Sequence, residues 1–424
     1  MVIASPHVNQ TLFLGASPMA SIYTAQLFTP EELRSLSQAD PQAAHSEMAA
    51  KCPFHRGPDG TVTITRAEDV IALCKRPDVL GPGAQGATMG GKRPLPPVDF
   101  DGAEHTKYRR MLDPLFSAKR MAALEPLVRK LADELINKFI DKGECDLQDD
   151  FCQPLPSILF LSLMGLPASD LEQFLSFKNI ILGHLPPGMP LPQRMALIRD
   201  ASERCYAYMT AEVDARTARA EHGDNLIGWL LDAEIDGVKL PREKVIDICY
   251  VMVIAGLDTV ASALTCLFAR LARAPELRKR LVAEPALWAS AVEELLRYES
   301  PVPRTFRTAT QDLEVAGEKI AAGTTFFLSW ASANLDEEAF ADPLAIDPER
   351  KPNPHLAFGS GFHRCVGVAL GRMEMRAALD QFHKRLPDYQ LKPGHELVFT
   401  GMPRFANALP IVWEPGKIVD RQSL

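Results

Sequence analysis

The sequence has no paired C-x-x-C unit: its eight cysteines, Cys52, Cys74, Cys145, Cys152, Cys205, Cys249, Cys266 and Cys365, are scattered along 424 residues. Most are expected to be reduced core residues of a cytoplasmic protein. A Ser/Gly-rich linker, a long run of like charge and an internal repeat are all missing, so residues 1–424 read as one large domain, with 1–28 as an irregular N-terminal extension. A basic excess is missing too. The net charge of -8 speaks against nucleic acid as a partner, because phosphate binding needs concentrated Lys and Arg.

Residues 1–28 carry neither the apolar block of a signal peptide nor a spanning helix, and no membrane anchor is expected there. The longest apolar stretch, 245–269, is interrupted by Asp258 and carries Gly256, Thr259, Ser262 and Thr265 on one polar face, with Asp247 near its start. Charges of this kind are costly in lipid, so the stretch reads as a buried core helix.

What is present is ordinary globular material, 46% hydrophobic and 24% charged. Helical periodicity covers 66–75, 105–116, 119–142, 169–183, 192–221, 225–234, 241–273, 275–284 and 287–298, and a further helical run begins near Val368. Short strands are expected at 61–65, 306–309, 313–315 and 324–329, with a closing pair near 398–400 and 409–412. Strands and helices do not alternate, which gives a mainly α fold with small β-sheets and not a doubly wound α/β fold. Residues 81–97 are rich in Gly and Pro and read as a loop, and the prolines between 186 and 192 mark either a lid or a plain connector.

Two nucleotide-type patterns fail on context. Gly81, Gly83 and Gly86 spell G-x-G-x-x-G, yet no clear strand precedes them and no helix follows. Gly86, Gly91 and Lys92 approach a phosphate loop, but Arg93 and Pro94 occupy the positions where a Mg²⁺-binding hydroxyl and a helix start belong.

The segment Phe358-Gly359-Ser360-Gly361-Phe362-His363-Arg364-Cys365-Val366-Gly367 leads into the helical run at Val368. A cysteine just before a helix meets unpaired N–H groups and the positive end of the helix dipole, which favour thiolate over thiol. The glycines permit turns and let the backbone lie close against a flat ligand. On these residues alone, a small buried hydrophobe and a nucleophile paired with His363 both stay open, although a histidine two residues away in a tight loop is poorly placed as a base.

That segment resembles the cysteine-ligand loop of cytochromes P-450, F-G-x-G-x-H-x-C-x-G. The resemblance implies the P-450 fold and haem b, iron protoporphyrin IX, with Cys365 as its iron ligand; a thiolate in this place favours O–O cleavage. It also implies that Phe358 packs near the sulfur, that Gly359 and Gly367 shape the cofactor site, and that His363 lies near a propionate.

Further segments match the same family in order, from about residue 101 onward. Ala255-Gly256-Leu257-Asp258-Thr259 resembles the oxygen-binding motif: a helical Thr can bond back one turn and open a groove, and Asp258 with Thr259 would form an acid and alcohol pair that relays protons. Glu294 and Arg297, at i and i+3, share a helix face and would be joined by Arg350 in a structural brace for the Cys365 loop. His105, Arg109 and Arg307, with His363, would receive the two propionates. Ile254, Ala255, Val302, Thr305, Phe306 and Met402 would line the substrate pocket. Ile346, Leu335 and Gly371 depart from common family residues at positions away from iron and oxygen chemistry.

The implied activity is insertion of one oxygen atom from dioxygen into an apolar small molecule, by hydroxylation or epoxidation. Flavin, nicotinamide and iron–sulfur motifs are lacking, so electrons are expected from a separate ferredoxin and its reductase, docking near Lys107, Arg110, Arg364, Arg372 and Arg376. A peroxygenase, a haem-dependent dehydratase and a non-turnover haem sensor are the other readings of the same fold; Asp258 and Thr259 together favour dioxygen activation.

Overall fold

The computed structural model describes residues 40–57, 62–78, 80–81, 90–185, 188–219 and 222–415. The N-terminal extension, Gly83 and Gly86 of the glycine pattern, and Pro186 and Pro187 of the mid-chain loop lie outside these residues. Gly81 belongs to a two-residue strand, Leu80–Gly81.

Helices dominate, as the periodicity predicts. A main apolar core is built around the helices Glu125–Ile136, Pro154–Met164, Arg242–Gly256, Thr259–Arg273, Trp288–Glu299 and Val368–Arg385. A second, smaller cluster lies under a five-stranded sheet. In that sheet Phe54–Arg56 pairs antiparallel with Val62–Ile64, which runs parallel to Thr325–Ser329; the latter pairs antiparallel with Arg304–Ala309, and Leu80–Gly81 closes the far edge. Gln390–Leu391, Pro410–Val412 and Glu144–Asp146 form a three-stranded sheet beside the helical core.

Three differences from the periodicity matter. The pattern over 119–142 resolves into Ala118–Ala122, Glu125–Ile136 and a short turn at Ile140–Lys142. The pattern over 241–273 resolves into two helices, Arg242–Gly256 and Thr259–Arg273, separated by Leu257 and Asp258. The helix Pro154–Met164 carries no amphipathic signal, because Leu155, Leu159, Phe160, Leu161, Leu163 and Met164 are buried around its whole circumference. Most of the long apolar stretch is inside the protein: 78% of its most hydropathic window in Arg242–Arg273 is buried.

Candidate active site

The loop before Val368–Arg385 is held by its own backbone. Gly359 donates N–H to Leu356 at 2.8 Å, and Cys365 donates N–H to the Phe358 carbonyl at 2.9 Å. Gly361 has φ +67°, and a Cβ there would lie 1.9 Å from the Cys74 carbonyl oxygen, so the close approach of the loop to the helix Ala67–Cys74 requires glycine. The Cys365 side chain is exposed only in the sense that it opens onto an internal cavity whose wall it forms. In the polypeptide by itself, the surrounding protein pushes the Cys365 thiol up from its ordinary value; the Gly367 N–H and the charges of Arg109 and Arg364 act in the opposite direction.

The Cys365 loop is clamped from behind. Arg297 makes a two-point contact with Glu294, Nε to Oε2 at 2.9 Å and Nη2 to Oε1 at 2.8 Å, and both residues are fully buried. Arg350 adds Nε to Oε1 at 3.0 Å, and Asn353 donates to Oε2 at 3.1 Å. The remaining guanidinium donors of Arg297 satisfy the carbonyls of Asn334, Pro343 and Ala345. Asn334 in turn accepts from the Leu356 N–H at 2.6 Å, which ties this network to the residue two before Phe358. A parallel contact runs through Glu293, which takes His355 Nε2 at 3.0 Å and Arg372 Nε at 2.9 Å. Burial acts to raise the Glu293 carboxyl, but hydrogen bonds from His355 and Arg372 outweigh it and hold the group below its ordinary range.

On the wall of the same cavity, Thr259 donates its hydroxyl to the Ala255 carbonyl at 2.9 Å. That carbonyl is thereby satisfied by a side chain at the point where the regular helix is interrupted. Gly256 lets the neighbouring helix approach: a Cβ on it would lie 2.3 Å from a ring carbon of Phe160. Asp258, 3% exposed, accepts from Lys178 Nζ at 2.8 Å in an ion pair buried on both sides.

Two arginines and two histidines share the cavity wall. His105, Arg109, Arg307 and His363 line it together. His363 Nε2 meets Asp101 Oδ1 at 2.8 Å and its ring lies 4.4 Å from that of His105. Arg109 donates to the Arg364 carbonyl at 2.6 Å and to Asp113 at 2.8 Å. His105 Nε2 is buried with no hydrogen-bond partner, and burial holds the ring well below its ordinary value, at about 4. Arg307 is buried, spends one donor on the Phe306 carbonyl, and pairs with no carboxylate among the described residues. A buried guanidinium without an ion-pair partner and an orphaned imidazole nitrogen lining one cavity are what a ligand with two carboxylates would satisfy. The Cys365 thiol lines the same cavity, as do apolar side chains including Val98, Leu159, Val251, Met252 and Leu296. This donor set fits haem.

The cavity includes Ala255, Thr259, Val302, Thr305, Phe358, Gly359 and Gly367. Ile254, Phe306 and Met402 are not on its wall. Ile254 is turned into the main core, one helical step away from Ala255. Phe306 alternates with Thr305 and Arg307 along Arg304–Ala309 and faces the opposite side, where it packs with Phe327 and Met402. Of the cations expected to dock a partner, Arg372 pairs with Glu293, Arg376 with Glu125, and Lys107 with Asp236. Arg110 and Arg364 are exposed and form no ion pair among the described residues.

Sequence reasoning missed Lys178, because its partner lies 80 residues away. It also missed Glu374, whose buried carboxyl lines the cavity from Val368–Arg385 with Oε1 unpartnered and is pushed by burial up to about 8. A carboxylate at the inward face of the helix that follows the cysteine loop was visible as a polar residue within an apolar stripe.

Residues 54–394 match the family model described as Cytochrome P450. Among characterised proteins, the chain is 32% identical over 368 residues to a methyl-branched lipid omega-hydroxylase of Mycobacterium tuberculosis, covering 84% of each chain. It is 29% identical to the steroid C26-monooxygenase of the same species, covering 88% of this chain and 94% of that one. Among solved structures, the myxobacterial cytochrome P450 CYP267B1 in complex with myristic acid superposes with a TM-score of 0.81 at 30% identity, over 91% of this chain and 99% of that one.

Proposed function

This chain belongs to the cytochrome P450 family, whose monooxygenases use haem b, and we propose that it oxidises an apolar lipid-like molecule with electrons from a separate ferredoxin. The observation that carries this reading is one cavity wall-to-wall: Cys365, Thr259 and the polar group of His105, Arg109, Arg307 and His363 all line it.

In this reading Cys365 holds the iron, and His105, Arg109, Arg307 and His363 take the propionates. Haem supplies the electron and dioxygen chemistry when bound. The Glu294, Arg297 and Arg350 network keeps the Cys365 loop from moving, which fixes the sulfur relative to the cavity. Thr259 presents a hydroxyl at the helix interruption, and Asp258 behind it delivers protons to that hydroxyl. Phe116, Leu159, Phe160, Val251, Met252 and Val302 exclude water from the reacting carbon and favour an apolar substrate.

The named relatives support a lipid or steroid skeleton, since one acts on methyl-branched lipids and another on steroids. The chain has no flavin, nicotinamide or iron–sulfur motif, which supports a separate electron donor; exposed Arg110 and Arg364 give it an acidic-partner contact beside the cysteine loop. The test is NADH-driven turnover with a ferredoxin and ferredoxin reductase over a panel of branched fatty acids, steroids and terpenes. Substrate-dependent NADH use with an oxygenated product is the expected result. Haem binding without turnover for any compound that shifts the spectrum contradicts it.

A further inference from the structure

Resting on the reading above, we propose that His184 is a positioning residue that feeds protons from the solvent side to Asp258.

Two buried polar atoms face each other without hydrogen-bond partners. Asp258 uses Oδ1 for Lys178, while its Oδ2 has no hydrogen bond. His184 Nε2 lies 3.9 Å from that oxygen and is likewise buried and unpartnered. Leaving both buried atoms unsatisfied costs stability, so the pair needs a reason beyond packing. The imidazole is held in place for such a role. Its backbone N–H donates to the Asn179 carbonyl at 2.8 Å, its Nδ1 lies 3.4 Å from Asn179 Oδ1, and its ring packs on Phe405 with centroids 4.7 Å apart.

Solvent access decides the direction. The side chain of Lys178 is 3% exposed and that of Asp258 is 4%, whereas His184 is 11% exposed. The ammonium of Lys178 is committed to Oδ1 inside the core, so of the three groups His184 is the one that can exchange protons with water. The step is a simple transfer: His184, protonated by water to the imidazolium, closes from 3.9 Å to hydrogen-bond distance, its Nε2–H bond breaks, an O–H bond forms at Asp258 Oδ2, and the ring is left as neutral imidazole ready to take up another proton. Asp258 then passes the proton toward Thr259. No electrons move.

The charged groups facing the imidazole are few. Asp258 favours its protonated form, Lys178 opposes it, and burial opposes it most, so that the net displacement is downward. From the helix Leu191–Thr217, Arg194 reaches the Gly183 carbonyl at 3.3 Å and adds a further cation nearby. The hairpin of Phe399–Thr400 and Phe405–Ala406 contributes Phe405 and, at its turn, Gly401, where a Cβ would come within 3.3 Å of Nε2.

The experiment uses the haem-loaded enzyme with its electron-transfer partners. His184→Gln keeps a polar side chain but cannot shuttle a proton; product formed per NADH is expected to fall about tenfold, with a larger solvent isotope effect and a flattened pH profile. An unchanged yield, isotope effect and pH profile in a variant whose Thr259→Ala counterpart still wastes NADH overturns the proposal while leaving the monooxygenase reading intact. If the wild type itself shows no turnover, that reading fails first. A second measurement needs neither turnover nor a variant at His184: the imidazole of His184 is titrated by NMR. Asp258→Asn is expected to lower its midpoint and Lys178→Met to raise it, and a midpoint indifferent to both substitutions overturns the proposal.

Discussion

Lys178 and Asp258 form an ion pair at 2.8 Å with both side chains under 5% exposed, joining the helix Leu171–Ile181 to the interruption between the two halves of the long apolar helix. A charge pair so placed is held by geometry, and removing one member leaves the other uncompensated in the core. Lys178→Met is therefore expected to destabilise the folded protein by about 3–5 kcal/mol. The double variant Lys178→Met, Asp258→Asn is expected to recover most of that loss in denaturant unfolding, since the buried charge is gone. Equal destabilisation in the single and double variants would show that the pair contributes little.

Thr259→Ala removes the hydroxyl that caps the Ala255 carbonyl and faces the cavity. NADH use is expected to continue while hydrogen peroxide replaces most of the oxygenated product. Measuring peroxide and product together checks this, and an unchanged product yield per NADH counts against the proton-relay role.

Glu294 anchors Arg297 and Arg350 on one buried carboxylate. Glu294→Ala leaves two guanidiniums facing each other without a counter-charge, with a cost of about 3–5 kcal/mol. The purified variant is expected to carry less haem per chain than the wild type, read by pyridine haemochrome absorbance. Full haem content and an unchanged unfolding temperature would remove the brace from the account.

His383 is buried on the helix Val368–Arg385, with Nδ1 2.7 Å from the Leu379 carbonyl and Nε2 3.1 Å from the Tyr389 hydroxyl. Burial lowers it from 6.5 to about 3. The unfolded chain binds the proton more readily, so this group's contribution is complete above pH 6.5 and is lost as pH falls toward 3. His383→Gln is expected to reduce the slope of stability against pH across that window, measured against the wild type. Parallel slopes would contradict the assignment.

The parts of the site written in short segments were legible in the sequence. The Cys365 loop, the E-x-x-R pair and the Asp258-Thr259 pair each sit within a few residues, where helix spacing or turn chemistry fixes who meets whom. The parts that depend on distant segments were not. Asp258 meets Lys178 and His184 only through packing of separate elements, and Arg372 reaches Glu293 through the same tertiary contact that orders His355. Phe306 was expected on the pocket wall together with Thr305, but neighbours in a pleated strand face opposite sides, and only Thr305 lines the cavity. The helix Pro154–Met164 was missed because burial on every side erases the periodicity by which helices are read.

In the proposed reading Cys365 holds the haem iron as a thiolate. The most direct measurement is the absorbance spectrum of the reduced, carbon monoxide-bound protein. A Soret band strongly red-shifted from that of histidine-ligated haem, and lost in Cys365→His with haem retained, is the predicted result. A histidine-type band in the folded wild-type protein would contradict it.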